Sequence, residues 1–211
     1  DPRPWSPDLV GRRVSAWLVH GEFLLKDSDS SFSKRFLQGL ALQARHLSRT
    51  ARTGEDGGER ILALKGLLYS GLSLPDGERR TQQAIKMLTV EISRQVQPDG
   101  GHFERSPSAH LSLLRHLIDI RGSLIAAVKP VPEELNNAID RMAPMLRAYR
   151  HGDGGLALFN DSVESEAWLI DLVLAQCGTK SRAPNNARHV GFRRVQSGRS
   201  LLIADMGAPV K

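Results

Sequence analysis

The sequence predicts a mainly α fold, a ring of antiparallel helix pairs that gives way to a β-rich region at its end. Six or seven segments carry apolar residues at three- and four-residue spacing, short loops join them, and after residue 178 the pattern turns from helical to alternating. Helices of similar length on short loops pack as antiparallel hairpins. The spacing matches no tetratricopeptide or HEAT repeat, which disfavours a regular solenoid. Periodicity alone leaves a closed or partly closed ring and an irregular bundle both open.

Taken in order, Ser6-Pro7-Asp8 offers an N-cap with a proline behind it, and Val10, Val14, Trp17, Leu18 and Leu25 share one helical face. The polar run 26–31 ends that helix. Phe36, Leu37, Leu40, Ala41, Ala44 and Leu47 stripe a second helix, and 53–58 is a turn-forming linker. Residues 61–72 are so apolar that a buried third helix is expected. After the turn Leu74-Pro75-Asp76-Gly77, Ile85, Leu88, Ile92 and Val96 mark a fourth helix. Leu113, Leu114, Leu117, Ile118, Leu124 and Ile125 mark a fifth. Pro130 and Pro132 end it, and a sixth runs from Leu135 to Tyr149 with a kink expected at Pro144. A Gly-rich loop at 150–155 leads to a last helix over 164–177. Residues 179–187 read as a polar linker, followed by strands at 189–195 and 200–204. Such a hairpin is marginal alone, so the chain is expected to stop shortly after entering a β-rich domain.

With 211 residues, 40% hydrophobic and 25% charged, the chain is long enough for a sizeable core and too apolar for wholesale disorder. Lys and Arg outnumber Asp and Glu by 29 to 23, and the net charge of +6 favours anionic partners. The basic residues are scattered, as in Arg12 and Arg13, Arg45 and Arg49, Arg79 and Arg80, or Arg147 and Arg150. With no dense tract and no interleaved aromatics, nucleic acid is not expected as a partner. The single Cys177 excludes an intramolecular disulfide and a cysteine-rich zinc site, and its apolar setting suits a buried small hydrophobe. No other spacing resembles a metal site and no Gly-rich phosphate loop follows a strand, so neither metal nor cofactor is expected. No apolar run is long enough to span a bilayer, and the first residues lack the form of a signal peptide.

Chemistry concentrates in the stretch Gln97-Pro-Asp-Gly-Gly-His-Phe-Glu-Arg-Ser-Pro-Ser-Ala-His110, where two prolines and two glycines preclude a continuous helix. His102 reads as a base or substrate-orienting group, or as a backbone cap. His110, in the first turn of a helix whose positive end disfavours protonation, reads as a proton acceptor or as a packed residue. Arg105 suits a carboxylate or sulfate, or else an ion pair with Glu104 or Asp99. Glu104 would hold Arg105 or His102 in place. Tyr69 and Tyr149 lie on apolar stripes and favour core packing.

The segment 91–110 resembles the heparinase II/III-like polysaccharide lyases, whose toroid carries a similar Gln-x-x-x-Asp-Gly-x-His-x-Glu-Arg-Ser-Pro-x-Tyr-His pattern. Residues 37–49, 64–72 and 142–161 extend the resemblance, the last like the family's toroid-closing Asp-Gly loop. It implies an incomplete (α/α) toroid over 1–178, then a linker and the first strands of a β-sandwich over 179–211. It also implies β-elimination on an anionic, uronate-containing polysaccharide and a periplasmic location, with the cytoplasm left open. In that reading His110 and His102 are catalytic, and Arg105, Glu104, His151, Asp153 and Asn160 bind substrate. The pattern departs at Ala109, where the family has tyrosine, and at Gly58-Glu59, where many members have Asn-His. A methyl group transfers no proton, so a non-catalytic glycan-binding or structural relative is the alternative. A helical module serving protein partners is a third reading. The sequence is silent on oligomeric state.

Overall fold

The computed structural model describes residues 3–53 and 58–208. After a 3₁₀ turn at Arg3–Trp5 come α1 (Pro7–Val19), α2 (Gly21–Leu25), α3 (Ser30–Thr50), α4 (Gly58–Ser73), α5 (Glu78–Gln95), α6 (Pro107–Ala126), α7 (Glu133–Ala148) and α8 (Ala167–Cys177). Strands β1 (Asn186–Ala187), β2 (Phe192–Ser197) and β3 (Ser200–Asp205) follow. The chain divides into two compact units, 1–91 with 123–130, and 92–122 with 131–211. Among the described residues no helix is long and apolar enough to cross a membrane.

The first unit is organised on α4. Ile61, Leu64, Leu67 and Leu68 are buried, as the unbroken apolar run predicts. α1 crosses α4 where Gly11 meets Gly66. A Cβ built on Gly66 would lie 2.5 Å from Gly11 Cα and 2.6 Å from its carbonyl oxygen, so only hydrogen fits between the backbones. Gly66→Ala is expected to force the helices apart and destabilise the unit by roughly 1–3 kcal/mol, read as a lower urea midpoint. α3 begins at an Asp29 cap whose Oδ1 accepts from Phe32 N at 2.8 Å. Its Phe36 stacks on Trp17 at 5.2 Å between ring centroids.

Several expectations change here. The first helix breaks at His20 rather than reaching Leu25, and Ser6 makes no side-chain cap. Leu37 and Ala41, expected on the buried stripe of α3, are exposed. Of the expected linker at 53–58, residues 54–57 lie outside the described residues.

In the second unit α7 continues through Pro144, and α8 starts at Ala167, three residues later than expected. Gly178, at φ 75°, ends α8 in the left-handed conformation that glycine adopts without a Cβ clash. Cys177 is buried, and burial pushes its thiol up to about 11. The sheet order is β1-β2-β3, all antiparallel, and β2 pairs with β3 from Phe192↔Asp205 to Ser197↔Ser200. β1 falls inside the stretch expected to be linker.

Candidate functional site

The 97–110 loop leaves α5 through an isolated antiparallel bridge between Val96 and His102. Its tight turn is closed by Gly100 N donating to Gln97 O at 2.8 Å. Gly100 sits at φ 87°, and a Cβ there would lie 2.0 Å from Arg141 O, so the position demands glycine twice over. Asp99 gathers three backbone amides. Its Oδ1 accepts from Gly101 N at 3.2 Å, and its Oδ2 accepts from His189 N at 2.7 Å and Val190 N at 3.0 Å. The carboxylate thus clasps the turn that leads into β2.

Arg105, at φ 55°, is held by its amide donating to His102 O at 2.9 Å. Its guanidinium turns to β3, with Nη2 3.1 Å from Asp205 Oδ2 and Nη1 donating to Ala208 O. Asn160 Nδ2 donates to both Arg105 O at 3.0 Å and Asp205 Oδ2 at 2.9 Å. The structure therefore brings Arg105 and Asn160 together around an internal carboxylate. With 12% of its side chain exposed and its charge matched, Arg105 has little left to offer a sugar carboxylate. Neither Glu104 nor Asp99 is the ion-pair partner. It is Asp205, a residue with no local sequence signal.

The two histidines are interior residues. His102 is 2% exposed, lies 3.3 Å from Gln95 Oε1 through Nε2, and packs against Phe103. Burial, with a smaller contribution from His110, lowers its pKa to about 3. Glu104 Oε2 is 4.0 Å from His102 Nδ1, a contact that is no ion pair while the imidazole is neutral. Partial burial raises the Glu104 carboxyl above its ordinary range. His110 is fully buried, donates from Nε2 to Met142 O at 3.0 Å, and meets Tyr149 edge-on at 5.3 Å. Its pKa falls to about 4 through burial, against the opposing bond to Met142. His110 is neutral as expected, but burial rather than the helix end is the cause. Tyr149, 1% exposed, continues the cluster onto Phe192 at 4.9 Å. Burial and the charges of Asp99 and Asp205 push its phenol up. Both imidazoles, expected at a catalytic centre, are thus packed in the interior of the second unit.

His151 and Asp153 are exposed and line a different feature, an open depression of about 530 Å³ whose wall includes Glu164 and Glu166 and no residue of 97–110. Asp153 Oδ1 accepts from Gly155 N at 2.9 Å and shapes its own turn. Three carboxylates therefore stand beside one histidine around this depression, a setting unfavourable to a sulfated or uronate chain.

The sequence of this chain matches the heparinase II/III N-terminus family over residues 4–177. It is 33% identical over 205 residues to FtsZ-localized protein C of Caulobacter vibrioides, spanning 97% of this chain and 35% of that protein. It is 29% identical over 175 residues to a heparin-sulfate lyase of Pedobacter heparinus, spanning 79% of this chain and 25% of the lyase. Among solved structures, heparinase III superposes with a TM-score of 0.75 at 18% identity, over 95% of this chain and 37% of that one. A heparan sulfate lyase from Pedobacter heparinus gives 0.71 at 24% identity, over 94% and 36%. The chain thus spans a quarter to somewhat over a third of the proteins it matches. The fold is mainly α, an incomplete (α/α) toroid of antiparallel helix pairs followed by the start of a β-sandwich, as the sequence predicts. With the family's N-terminal domain matched over 4–177, this chain belongs to the heparinase II/III family.

Proposed function

We propose that the protein containing this chain uses the heparinase II/III scaffold to bind partners, not to cleave polysaccharide, and that the 97–110 loop is a structural clasp between the helices and the strands that open a β-rich domain at 179–211. The observation that carries this reading is the commitment of the loop's side chains. Asp99 and Arg105 are bound to the β region, His102 and His110 are buried and neutral, and Ala109 occupies the place of the phenol. β-Elimination needs a base and an acid within reach of the sugar, and none of these residues supplies either. The relative named for FtsZ localisation supports a position with FtsZ in place of the periplasmic one.

The other reading, a lyase of an anionic uronate-containing polysaccharide, is favoured by the 29% identity to a heparin-sulfate lyase. In it, proton-transfer groups come from outside this chain and His151, Asp153 and Asn160 keep a substrate role. One assay separates the two. The full-length protein, incubated with heparin, heparan sulfate and other uronate polymers, is expected to give no rise in ultraviolet absorbance from unsaturated sugar ends. A sustained rise with any polymer would establish the lyase reading and sink ours. A fluorescent fusion that fails to coincide with FtsZ removes the localisation part alone.

A further inference from the structure

The first unit carries two neighbouring depressions that include no residue of the 97–110 loop. Gln83 Nε2 on α5 donates to Ser48 O on α3 at 2.9 Å, a tie between the two helices. On one side of this tie lies a depression of about 340 Å³ walled by Arg49 at the end of α3, by Arg52 in the turn that follows it, and by Arg79 and Lys86 from α5. It contains no carboxylate, and none of the four cations forms an ion pair among the described residues. On the other side Leu37, Ala41, Leu74 and Pro75 line an apolar depression of about 460 Å³, with Arg45 and Arg80 at its edge. Ser48 belongs to both walls, so the two depressions adjoin along α3, and we take them as the two halves of one groove. Arg80 is held in place by Nη2 donating to Pro75 O at 2.9 Å.

Four like charges around one depression repel one another, a cost of self-repulsion that an anionic partner relieves. Leu37, 52% exposed, adds apolar area that remains in water until something covers it. A free oxyanion would use only the basic half, and an oligosaccharide would leave the apolar half uncovered. From Leu37 to Arg52 the groove is about 22 Å long at 1.5 Å per helical residue, the length of about four helical turns. We propose that this groove docks an acidic amphipathic helix of a partner protein, with its carboxylates between Arg49, Arg52, Arg79 and Lys86 and an apolar side chain at Leu37 and Pro75. This is helix-in-groove recognition with charge setting the direction. The proposal goes beyond the functional reading above and stands or falls independently of it.

The test is selection of a displayed random library of about 15 residues, the length of the groove, on the intact protein. Enriched peptides are expected to cluster Asp and Glu at one end and Leu, Ile or Phe at the other. Synthesised and labelled, they should bind with an affinity that falls as salt rises. Arg49→Glu with Arg79→Glu should weaken binding at least tenfold, and Leu37→Ser about threefold, while both variants keep the wild-type circular dichroism and melting temperature. Failure to enrich any peptide, enrichment of sequences without acidic residues, or undiminished binding to the charge-reversed variant would overturn the proposal. So would peptide displacement by heparin oligosaccharide or by phosphatidylglycerol vesicles whose own binding ignores Leu37→Ser, because the groove would then read charge alone.

Discussion

Lowering the pH from 7.5 to 5 is expected to remove about 4 kcal/mol of stability from the second unit, before any carboxylate pair is titrated. Folded pKa values of about 3 for His102 and about 4 for His110 lie below the ordinary 6.5. The unfolded chain therefore binds more protons throughout that interval, and stability falls as pH falls through it. The contribution is whole above 6.5, and at pH 5 each imidazole has lost about 2 kcal/mol of it. Glu104, raised by burial, runs the other way and blunts the fall slightly. Urea denaturation at the two pH values measures the loss. His110→Phe keeps the ring's volume and its contact with Tyr149 but removes one titrating group, so the pH slope should halve. Met142 O then loses its donor, making the variant less stable at pH 7.5 by roughly 1–2 kcal/mol, and the gap to wild type should close near pH 5. A variant with the full slope would place the protons elsewhere.

Burial of His110 was within reach of the sequence. It stands three residues before Leu113 and four before Leu114, on the stripe that continues through Leu117, and a histidine in phase with leucines belongs to the core. The same periodicity located every long helix, because burial of one face is what shapes both the pattern and the packing. It failed where phase carries no information. Leu25 stays in register with Val14 and Leu18 across His20, so the break between α1 and α2 leaves no mark, and the two residues of β1 are too few to alternate. The family motif identified the loop but assigned its residues outward, to substrate. Their partners, Asp205, His189 and Val190, lie 90 to 100 residues downstream, where only the fold brings them near. The basic groove was hidden for the same reason. Arg49 and Arg52 sit at and just past the end of one helix and Arg79 and Lys86 on another, and in sequence they look scattered.

Asp99→Ala is expected to cost about 4 kcal/mol and to free the hairpin. Two of the amides that its carboxylate holds, on His189 and Val190, have no helix or ladder partner to replace it, and charge-assisted bonds of this kind contribute about 1.5–3 kcal/mol each. Val190 is 2% exposed, so its amide loses a partner without gaining water. Gly101 packs so closely on Val190 that a Cβ there would lie 2.6 Å from the valine side chain, which leaves no room for another residue to take over the role of Asp99. Hydrogen exchange should therefore accelerate across β2 and β3, with α4 unchanged. Arg105→Ala, which breaks only the pair with Asp205 and the bond to Ala208 O, should do the same more weakly. These substitutions also separate the clasp from a sugar site. A loop built to hold substrate would lose polymer affinity on Arg105→Ala while its strands kept their protection, whereas a clasp loses protection first. Unaltered exchange in β2 and β3 of the Asp99→Ala protein would remove the structural role assigned to the loop.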